Sequence, residues 1–355
     1  MSHPEQEGRI KVGITCGDVN GIGLEVVMKA LLDTRILQLC TPVIYASNKL
    51  VSLQRKLLNL NDFQYQTVKS SNDIILRKTN VINCWEEEVP VEWGKATETS
   101  GMYAYRSLEA AVPDLKEKKI HVLVTAPINK QTIQNVNFKF QGHTEYLADR
   151  FDTTDPLMFL VSETLRVAVN SGHIPVKEVA ASLSTEKIAK KIKSIHNSLK
   201  RDFGVRKPRI AVLGLNPHAG DDGLIGMEEK EFILPAIKKC SEEGIFVYGP
   251  YSADGFFGTA SFNKFDAILA MYHDQGLVPF KTLSFSSGVN FTAGLPVVRT
   301  SPDHGTAYDI AGKGTAMEDS LRDAIFTAID ILRKREEFDE ITANPLAFSK
   351  QTRDH

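Results

Sequence analysis

The chain has 355 residues, of which 42% are hydrophobic and 24% are charged. A chain of this length exceeds one hydrophobic core of ordinary size, so two domains or one large discontinuous α/β unit are expected. Lysine plus arginine (42) and aspartate plus glutamate (44) nearly balance, with no long block of one sign, which argues against nucleic acid or an anionic membrane as the main partner.

Apolar, β-branched segments alternate with helical patterns along the chain. Strands are predicted at residues 9–15, 42–46, 121–125, 157–161, 166–170, 209–213 and 265–271. Helices are predicted at residues 24–37, 102–118, 185–203, 228–243 and 317–336. Strands separated by helices of this length predict parallel pairing in an α/β sheet.

The ends of the chain and the cysteines bear on the cellular compartment. The first ten residues, MSHPEQEGRI, lack the apolar core of a signal peptide. No run of about 18 apolar residues occurs, so no membrane-spanning helix is expected. The four cysteines are widely spaced and form no CxxC pair: Cys16, Cys40, Cys84 and Cys240. This pattern is typical of reduced thiols rather than of disulfides. A cytoplasmic protein is therefore expected.

Polar clusters follow three of the predicted strands. TAPINK (125–130) follows HVLV, NPHAG (216–220) follows IAVLGL, and YHDQG (272–276) follows FDAILAM. Open α/β sheets bind ligands at the carboxyl ends of their strands. We therefore expect these clusters to meet in one crevice.

Five of the nine histidines lie in glycine-containing turns, namely His143, His173, His218, His273 and His304. Neutral imidazole is a good ligand for divalent zinc, iron, cobalt or nickel, and three histidines leave the open coordination that a catalytic metal needs. The spacing carries no HExxH-type signature. A metal site is therefore one interpretation, and a set of hydrogen-bonding loop residues is the other.

Two glycine-rich segments are candidate ligand-binding loops. In CGDVNGIGLEVV (16–27), three glycines follow a strand and open a helix, which favours either an anion site or a tight structural turn. In SPDHGTAYDIAGKGTA (301–316), backbone donors could wrap a ligand and Asp309 could accept bonds from a ribose diol, unless the segment is a surface loop. Three polar residues could also bind a phosphate or a carboxylate, namely Lys281, Asn290 and Arg299. Taken singly, each is more typical of a surface charge or a structural amide.

Taken together, these segments resemble a known enzyme superfamily. GDVNGIGLE near the start and HGTAYDIAGKG near the end are similar to the isocitrate and isopropylmalate dehydrogenases, in which the late loop surrounds the adenosine of the dinucleotide. The middle motifs narrow the resemblance to the 4-hydroxythreonine-4-phosphate dehydrogenase family. These motifs are TAPINK, GHTEYLA, GHIP, LNPHAG, GPYSADGFF, AMYHDQGL, GVNFTAGLPVVRTS and DHGTAYDIAG.

The chain departs from the family pattern in two places. Its first motif reads GDVNGIGLE where the family usually has GDPAGIGPE, so both prolines are missing. The segment before His173 reads NSGHIP where two threonines are common. These changes put the rigidity of the cofactor loop and the fine substrate choice in question, while the ligand set is intact.

The resemblance implies an α/β fold of two α/β/α domains with a mostly parallel sheet and an active site in the interdomain cleft. The first domain would comprise residues 1–130 plus 300–355. The second, residues 131–299, would carry the metal ligands and the dimer contacts. A homodimer with a shared active site is implied, in which His273 completes the metal site of the neighbouring subunit.

The resemblance also implies roles for individual residues. A divalent metal, Zn²⁺ or alternatively Mg²⁺ or Co²⁺, would be held by His173, His218 and His273. A small phosphorylated substrate would contact His143, Thr144, Lys281, Asn290 and Arg299. NAD, or alternatively NADP, would contact His304 and Asp309. The candidates for the general base are Lys281 and Asp254.

The implied activity is NAD-linked oxidation of 4-hydroxy-L-threonine 4-phosphate to a 3-oxo acid, which decarboxylates to 3-amino-2-oxopropyl phosphate in vitamin B6 synthesis. One alternative is a related dehydrogenase for another phosphorylated hydroxy acid, such as a four-carbon sugar-acid phosphate. A metal-dependent phosphohydrolase would use the same histidines but leaves the HGTAYDIAG loop unexplained. A regulatory module without catalysis is disfavoured, because every implied ligand and anchor is retained.

Overall fold

One large sheet organises the chain. A computed structural model describes residues 9–134, 138–284 and 287–344. Its strands are β1 (Ile10–Thr15), β2 (Cys40–Ala46), β3 (Gln66–Val68), β4 (Asn80–Asn83), β5 (Val122–Thr125), β6 (Leu157–Val161), β7 (Arg166–Ser171), β8 (Arg209–Leu213), β9 (Phe246–Tyr251), β10 (Ala267–Tyr272), β11 (Val289–Ala293) and β12 (Val298–Pro302). They form one sheet in the order β3-β4-β2-β1-β5-β12-β11-β6-β7-β10-β8-β9.

The sheet is mostly parallel but reverses direction at its centre. β11 pairs antiparallel with β12 and with β6, and β6 pairs antiparallel with β7. The remaining neighbours are parallel, so the two parallel halves run in opposite directions. The predicted α/β class and the mostly parallel sheet are confirmed, and the antiparallel pairs lie at the centre of the sheet. β11 and β12 follow each other too closely for a crossover helix, and so they pair antiparallel.

Helices cover both faces of the sheet. They are α1 (Gly23–Ala30), α2 (Ile36–Leu39), α3 (Asn48–Leu57), α4 (Glu98–Lys116), α5 (Lys130–Ile133), α6 (His143–Arg150), α7 (Val176–Ser182), α8 (Thr185–Arg201), α9 (Leu234–Glu242), α10 (Ala253–Gly258), α11 (His273–Leu283) and α12 (Asp319–Thr342). The prediction of one helix over 24–37 is wrong, because α1 ends at Ala30. The side chain of Asp33 accepts a hydrogen bond from the Arg35 N–H, a local bond that competes with a continuing helix.

Hydrophobic side chains divide between the two faces with the two-residue period of a strand. On one face a single apolar cluster spans the sheet and takes in α1, α8 and α12. On the other face one cluster covers β2 and β5 beneath α4 and α6, and a separate cluster covers β7 and β10 beneath α10 and α11. Between these two clusters, β11 and β12 present a polar strip on that face: Asn290, Thr292, Arg299 and Ser301.

The predicted domain division stays a prediction. One sheet and one apolar cluster continue across the boundaries placed at residues 130 and 300. Among the described residues, no helix combines the length and the apolar composition that crossing a bilayer requires. The four cysteines are all free thiols.

Candidate active site

A cavity of about 450 Å³ lies over the polar strip. Loops from both halves of the sheet reach it, because residues 126–128 follow β5 while His173 and His273 follow β7 and β10. Of the three motifs expected in one crevice, TAPINK and YHDQG meet here over the antiparallel centre of the sheet, whereas NPHAG does not line the cavity. Eight of the predicted site residues line the cavity: His143, Thr144, His173, His273, Lys281, Asn290, Arg299 and His304.

Arg299 is a buried cation on the cavity floor, with 3% of its surface exposed. Its Nε and Nη2 atoms donate to the Thr125 hydroxyl at 3.0 and 2.6 Å, and Nη1 donates to the Thr292 hydroxyl at 3.1 Å. No described carboxylate forms an ion pair with it, and burial lowers its pKa to about 10, an effect that the charge of Glu145 partly offsets. A buried, unpaired guanidinium indicates a site for an anionic ligand.

The N-terminus of α6 adds to this anion site. Gly142, His143, Thr144 and Glu145 line the cavity, and no side chain caps the helix. Its first N–H groups and the positive end of its dipole therefore favour an anion. Burial, and then the charges of Arg299 and Lys130, lower the pKa of His143 well below its usual range. His143 is consequently a neutral imidazole.

Two histidines meet at the opposite side of the cavity. Ser171 and Tyr272 are in register on the neighbouring parallel strands β7 and β10, which places the rings of His173 and His273 with centroids 5.6 Å apart. Zinc–nitrogen bonds of about 2.0–2.1 Å in a tetrahedral site put two imidazole centroids roughly 5 Å apart, so this pair fits one divalent cation.

The hydrogen bonds of these two histidines bear on how they could hold a metal. His273 Nδ1 bonds to the Asp274 carboxylate at 2.7 Å, an interaction that orients the ring and leaves Nε2 available. The His173 pKa is lowered by burial first, and then by the charges of Lys130 and His273. The Lys130 ammonium lies 3.4 Å from His173 Nε2, so a cation bound to that nitrogen would take the place of Lys130.

The third predicted ligand lies apart from this pair. His218 is exposed on the turn after β8 and does not line the cavity. β8 lies on the far side of β10 from β7, which explains the separation. Within the described residues, no group of three or more His, Cys, Asp or Glu side chains fits a metal. The resemblance implies that His273 is the residue supplied across a dimer; in this chain the predicted ligand that lies apart from the other two is His218.

The two remaining residues outside the cavity have different surroundings. Asp254 is exposed at the start of α10, and hydrogen bonds from the Ser252 hydroxyl and the Gly255 N–H, followed by the charge of His218, lower its pKa. Asp254 and His218 are therefore neighbours. Asp309 is exposed in the late glycine-rich loop.

Two polar atoms of the cavity wall lack a hydrogen-bond partner. Among the residues that the structure describes, no group pairs with the buried Asn290 Oδ1 or His304 Nε2. At the rim, Lys281 Nζ donates to the Asp303 carbonyl at 3.0 Å. Because buried polar atoms in native proteins are nearly always paired, Asn290 and His304 are expected to bond to bound ligands.

The first glycine-rich motif is a structural junction built on Asp18, a residue that the sequence analysis did not single out. Its carboxylate is 1% exposed and accepts bonds from the Asn20 N–H, the Ser100 hydroxyl and the Tyr308 hydroxyl at 2.8–2.9 Å. The Ile22 N–H donates to the Thr306 carbonyl at 3.0 Å. These N–H groups are used within the fold, so the motif is a tight turn rather than an open anion site.

Asn20, where the family usually has alanine, connects this junction to residues 92–97. Its amide donates to the Lys95 carbonyl at 2.9 Å, and its oxygen accepts from the Glu92 N–H at 2.8 Å. That segment supports the late loop, because a Cβ on Gly312 would lie 2.7 Å from the Trp93 ring. The departure from the family motif therefore adds contacts beneath the loop.

An anion site beside an imidazole pair, in a cleft of a mixed α/β sheet, defines an enzyme that acts on a small anionic molecule. A family model described as "Pyridoxal phosphate biosynthetic protein PdxA" matches residues 38–328. The chain belongs to this family, and the resemblance read from the motifs is confirmed.

Individual relatives match over nearly the whole chain. The 4-hydroxythreonine-4-phosphate dehydrogenase of Bacteroides thetaiotaomicron is 51% identical over 96% of this chain and 94% of its own. A putative D-threonate 4-phosphate dehydrogenase of Oceanobacillus iheyensis is 37% identical over 90% of this chain and 97% of its own. The crystal structure of 4-hydroxythreonine-4-phosphate dehydrogenase from Klebsiella pneumoniae has a TM-score of 0.78 and 33% identity, covering 92% of this chain and 98% of that one.

Proposed function

We propose that this chain is a cytoplasmic enzyme that oxidises 4-hydroxy-L-threonine 4-phosphate with NAD and a divalent metal. The product is a 3-oxo acid, which decarboxylates to 3-amino-2-oxopropyl phosphate in pyridoxal phosphate synthesis. One observation carries the proposal: a single cavity holds the buried, unpaired Arg299 and the His173–His273 pair. The name of the 51% identical relative supports the choice of substrate.

The anion site fixes the substrate. Arg299 and the N-terminus of α6, with Thr144 in its first turn, bind the phosphate, and Lys281 closes the rim. Asn290 Oδ1 accepts a hydrogen bond from a donor on the substrate, which satisfies an otherwise unpaired atom. Anchoring at these points holds the carbinol carbon in one orientation and removes much of the entropic cost of reaction.

The histidines provide the metal site. His173 and His273 would hold a divalent cation, Zn²⁺ or alternatively Mg²⁺ or Co²⁺, together with His218. When bound there, the cation would supply Lewis-acid polarisation of the substrate hydroxyl, and the nicotinamide would supply the hydride acceptor. Lys281, at the rim, and Asp254, beside His218, are the residues that we propose for accepting the hydroxyl proton.

The late loop would bind the dinucleotide. His304 Nε2 is buried without a partner at the cavity wall, and Asp309 is exposed farther along the loop. A carboxylate there accepts bonds from the 2′- and 3′-hydroxyls of the adenosine ribose and repels the 2′-phosphate of NADP. NAD is therefore the proposed cofactor.

The proposed assembly is a homodimer with a shared metal site. Large apolar side chains are exposed beside each histidine turn: Val176 (78%), Leu224 (83%) and Val278 (61%). Their burial against a second copy would remove apolar surface from water. His218 of one chain would then complete the His173–His273 pair of its partner.

Mixing of inactive subunits tests this assembly. If His218 alone crosses the interface, a heterodimer of His218→Ala with His273→Ala has one intact site and regains part of the activity. A heterodimer of His173→Ala with His273→Ala keeps a defect in both sites and stays inactive. If His273 crosses instead, the second pair recovers activity. No recovery in any pair, with subunit exchange verified, contradicts the shared site.

A four-carbon sugar-acid phosphate is the second candidate substrate, favoured by the 37% identity to the putative D-threonate 4-phosphate dehydrogenase. This molecule carries a 2-hydroxyl where 4-hydroxythreonine carries a 2-amino group. Comparison of kcat/KM for the two phosphates, with the same metal and NAD, decides between them. We expect 4-hydroxythreonine 4-phosphate to be the better substrate. A higher kcat/KM for D-threonate 4-phosphate would instead indicate that the chain is a D-threonate 4-phosphate dehydrogenase.

A further inference from the structure

The residues around His218 form a left-handed turn. His218, Ala219, Asp221 and Asp222 have φ values of 52°, 52°, 42° and 55°, and Gly220 between them has 82°. Residues other than glycine avoid this region because Cβ crowds the following carbonyl. Four of them in one turn persist only where the surroundings enforce the conformation.

A buried carboxylate, Glu229, lies at the base of this turn, and its neighbour Glu228 also accepts a hydrogen bond from the Asn216 amide, at 2.8 Å. Glu229 is 3% exposed, and its Oε1 accepts from the N–H groups of Leu215 and Asn216, both at 2.7 Å. Its Oε2 accepts from the Asn216 side-chain amide at 3.0 Å. The turn closes directly onto this group, because a Cβ on Gly220 would lie 2.6 Å from Oε2.

The helix that carries Glu229 is itself irregular. Glu229 begins a π-helical turn, Glu229–Ile233, that leads into α9. Such turns occur frequently at functional sites, where they redirect a side chain out of the regular helical progression. Glu231, two positions later in the same turn, is exposed instead.

The turn is also connected to the segment that carries His273. The Gln275 amide donates to the Gly214 carbonyl at 2.6 Å, and its oxygen accepts from the Met271 N–H at 2.7 Å. Gly214 directly precedes the residues that Glu229 binds. The His218 turn is therefore placed relative to β10 and to the start of α11 by specific polar contacts.

We infer that Glu229 is a positioning residue of the metal site, whose carboxylate holds the left-handed turn that presents His218. The inference rests on the proposed role of His218 as a metal ligand. Groups that orient ligands without touching the metal typically change metal affinity about 10- to 100-fold when they are removed.

The test compares Glu229→Ala and Glu229→Gln with the matched control Glu231→Ala. In metal-free protein, amide hydrogen exchange of residues 218–223 is expected to accelerate at least about tenfold in Glu229→Ala, because the turn loses its enforcing contacts. It stays unchanged in the control. Glu229→Gln keeps one acceptor oxygen for the Leu215 and Asn216 N–H groups, so it is expected to fall between the two.

Co²⁺ provides the second readout in the intact dimer. Its affinity, measured by chelator competition, is expected to fall about 10- to 100-fold in Glu229→Ala, with an altered visible absorption spectrum. Wild-type exchange and wild-type Co²⁺ binding in Glu229→Ala would overturn the inference. If that variant does not fold, Glu229→Gln decides: weaker Co²⁺ binding at an unchanged melting temperature supports the inference, and wild-type binding overturns it.

One further variant separates this inference from the proposed function. Should His218→Ala bind Co²⁺ as tightly as the wild type, the ligand assignment of His218 fails and so does the role of Glu229 at the metal. Accelerated exchange in Glu229→Ala would then show only that Glu229 stabilises the conformation of the turn.

Discussion

Replacement of the buried arginine is the most informative single change. We expect Arg299→Met to weaken binding of the phosphorylated substrate and of inorganic phosphate, while NAD binding is unchanged. Methionine fills a similar apolar volume but carries no charge. The change in phosphate and substrate affinity on Arg299→Met therefore measures the contribution of the guanidinium, which lies on the cavity floor without an ion-pair partner among the described residues.

The magnitude follows from the burial of that charge. Burial lowers the pKa of Arg299 from 12.5 to about 10, so the group remains protonated at neutral pH. At about 1.4 kcal/mol per pKa unit, the net shift corresponds to roughly 3–4 kcal/mol of unfavourable free energy for the charged form, which a bound anion can offset. Charged hydrogen bonds contribute about 1.5–3 kcal/mol, so the dissociation constant of the substrate should rise roughly 10- to 150-fold.

Ligand-free stability distinguishes a binding role from a structural one. Removal of an uncompensated buried charge is often neutral or stabilising, so the melting temperature of the free variant should equal or exceed that of the wild type. Phosphate should raise the melting temperature of the wild type and not that of Arg299→Met. Arg166→Met is the matched control, because Arg166 is another arginine whose pKa is lowered by burial and it lies outside the cavity.

Calorimetry with inorganic phosphate and with the substrate, together with KM values for substrate and NAD, measures these effects. Substrate and phosphate binding within twofold of the wild type in Arg299→Met would refute the assignment of the anion site. A variant that loses substrate and NAD binding equally would show general damage to the fold.

Three further predictions concern the cofactor loop and pH. Asn20→Ala removes the contacts that hold residues 92–97 beneath the late loop. In a fluorescence titration the dissociation constant of NAD should rise, while that of phosphate stays constant. Unchanged NAD binding would contradict a role of Asn20 in supporting the loop. Asp309→Asn should reduce the preference for NAD over NADP in kcat/KM, and a preference that survives unchanged would place selectivity elsewhere. In the folded protein the pKa of His143 lies well below its usual value, so a proton binds the unfolded chain more readily than the folded one. The free energy of unfolding that depends on His143 is therefore at its full value above about pH 6.5. It decreases below that pH by up to about 1.4 kcal/mol per pH unit. Urea unfolding of the wild type and of His143→Gln at pH 7.5 and 5.5 should show this loss only in the wild type, and parallel curves would disprove it.

Local sequence patterns predicted seven of the twelve strands in the described part of the chain, but missed β3, β4 and β9 toward the edges of the sheet and β11 and β12 at its centre. The long helices and the buried strands, such as β2 and β10, have clear apolar periodicity and were predicted close to their observed bounds. β11 and β12 carry polar residues on one face, including Asn290 and Arg299, and their alternation resembles that of exposed segments. Their pairing depends on contacts with distant strands, which no local pattern encodes.

The candidate site was predictable to the extent that its residues are chemically unusual in their motifs. Histidines and charged residues in glycine-rich turns stand out, and eight of those predicted line one cavity. Asp18 and Glu229 did not stand out, because an acidic residue in a turn or on a helix is ordinary until its burial is known. The position of His218 outside the cavity likewise follows from strand order, which the sequence does not display.

Metal dependence of hydride transfer tests the central claim most directly. NADH formation from 4-hydroxythreonine 4-phosphate is measured with enzyme stripped by a chelator and then titrated with Zn²⁺ or Co²⁺. We expect no activity in the stripped enzyme and recovery that saturates at one metal per site, with no recovery in His273→Ala. Full activity in enzyme shown by elemental analysis to be metal-free, or no NADH from this substrate with any metal, would contradict it.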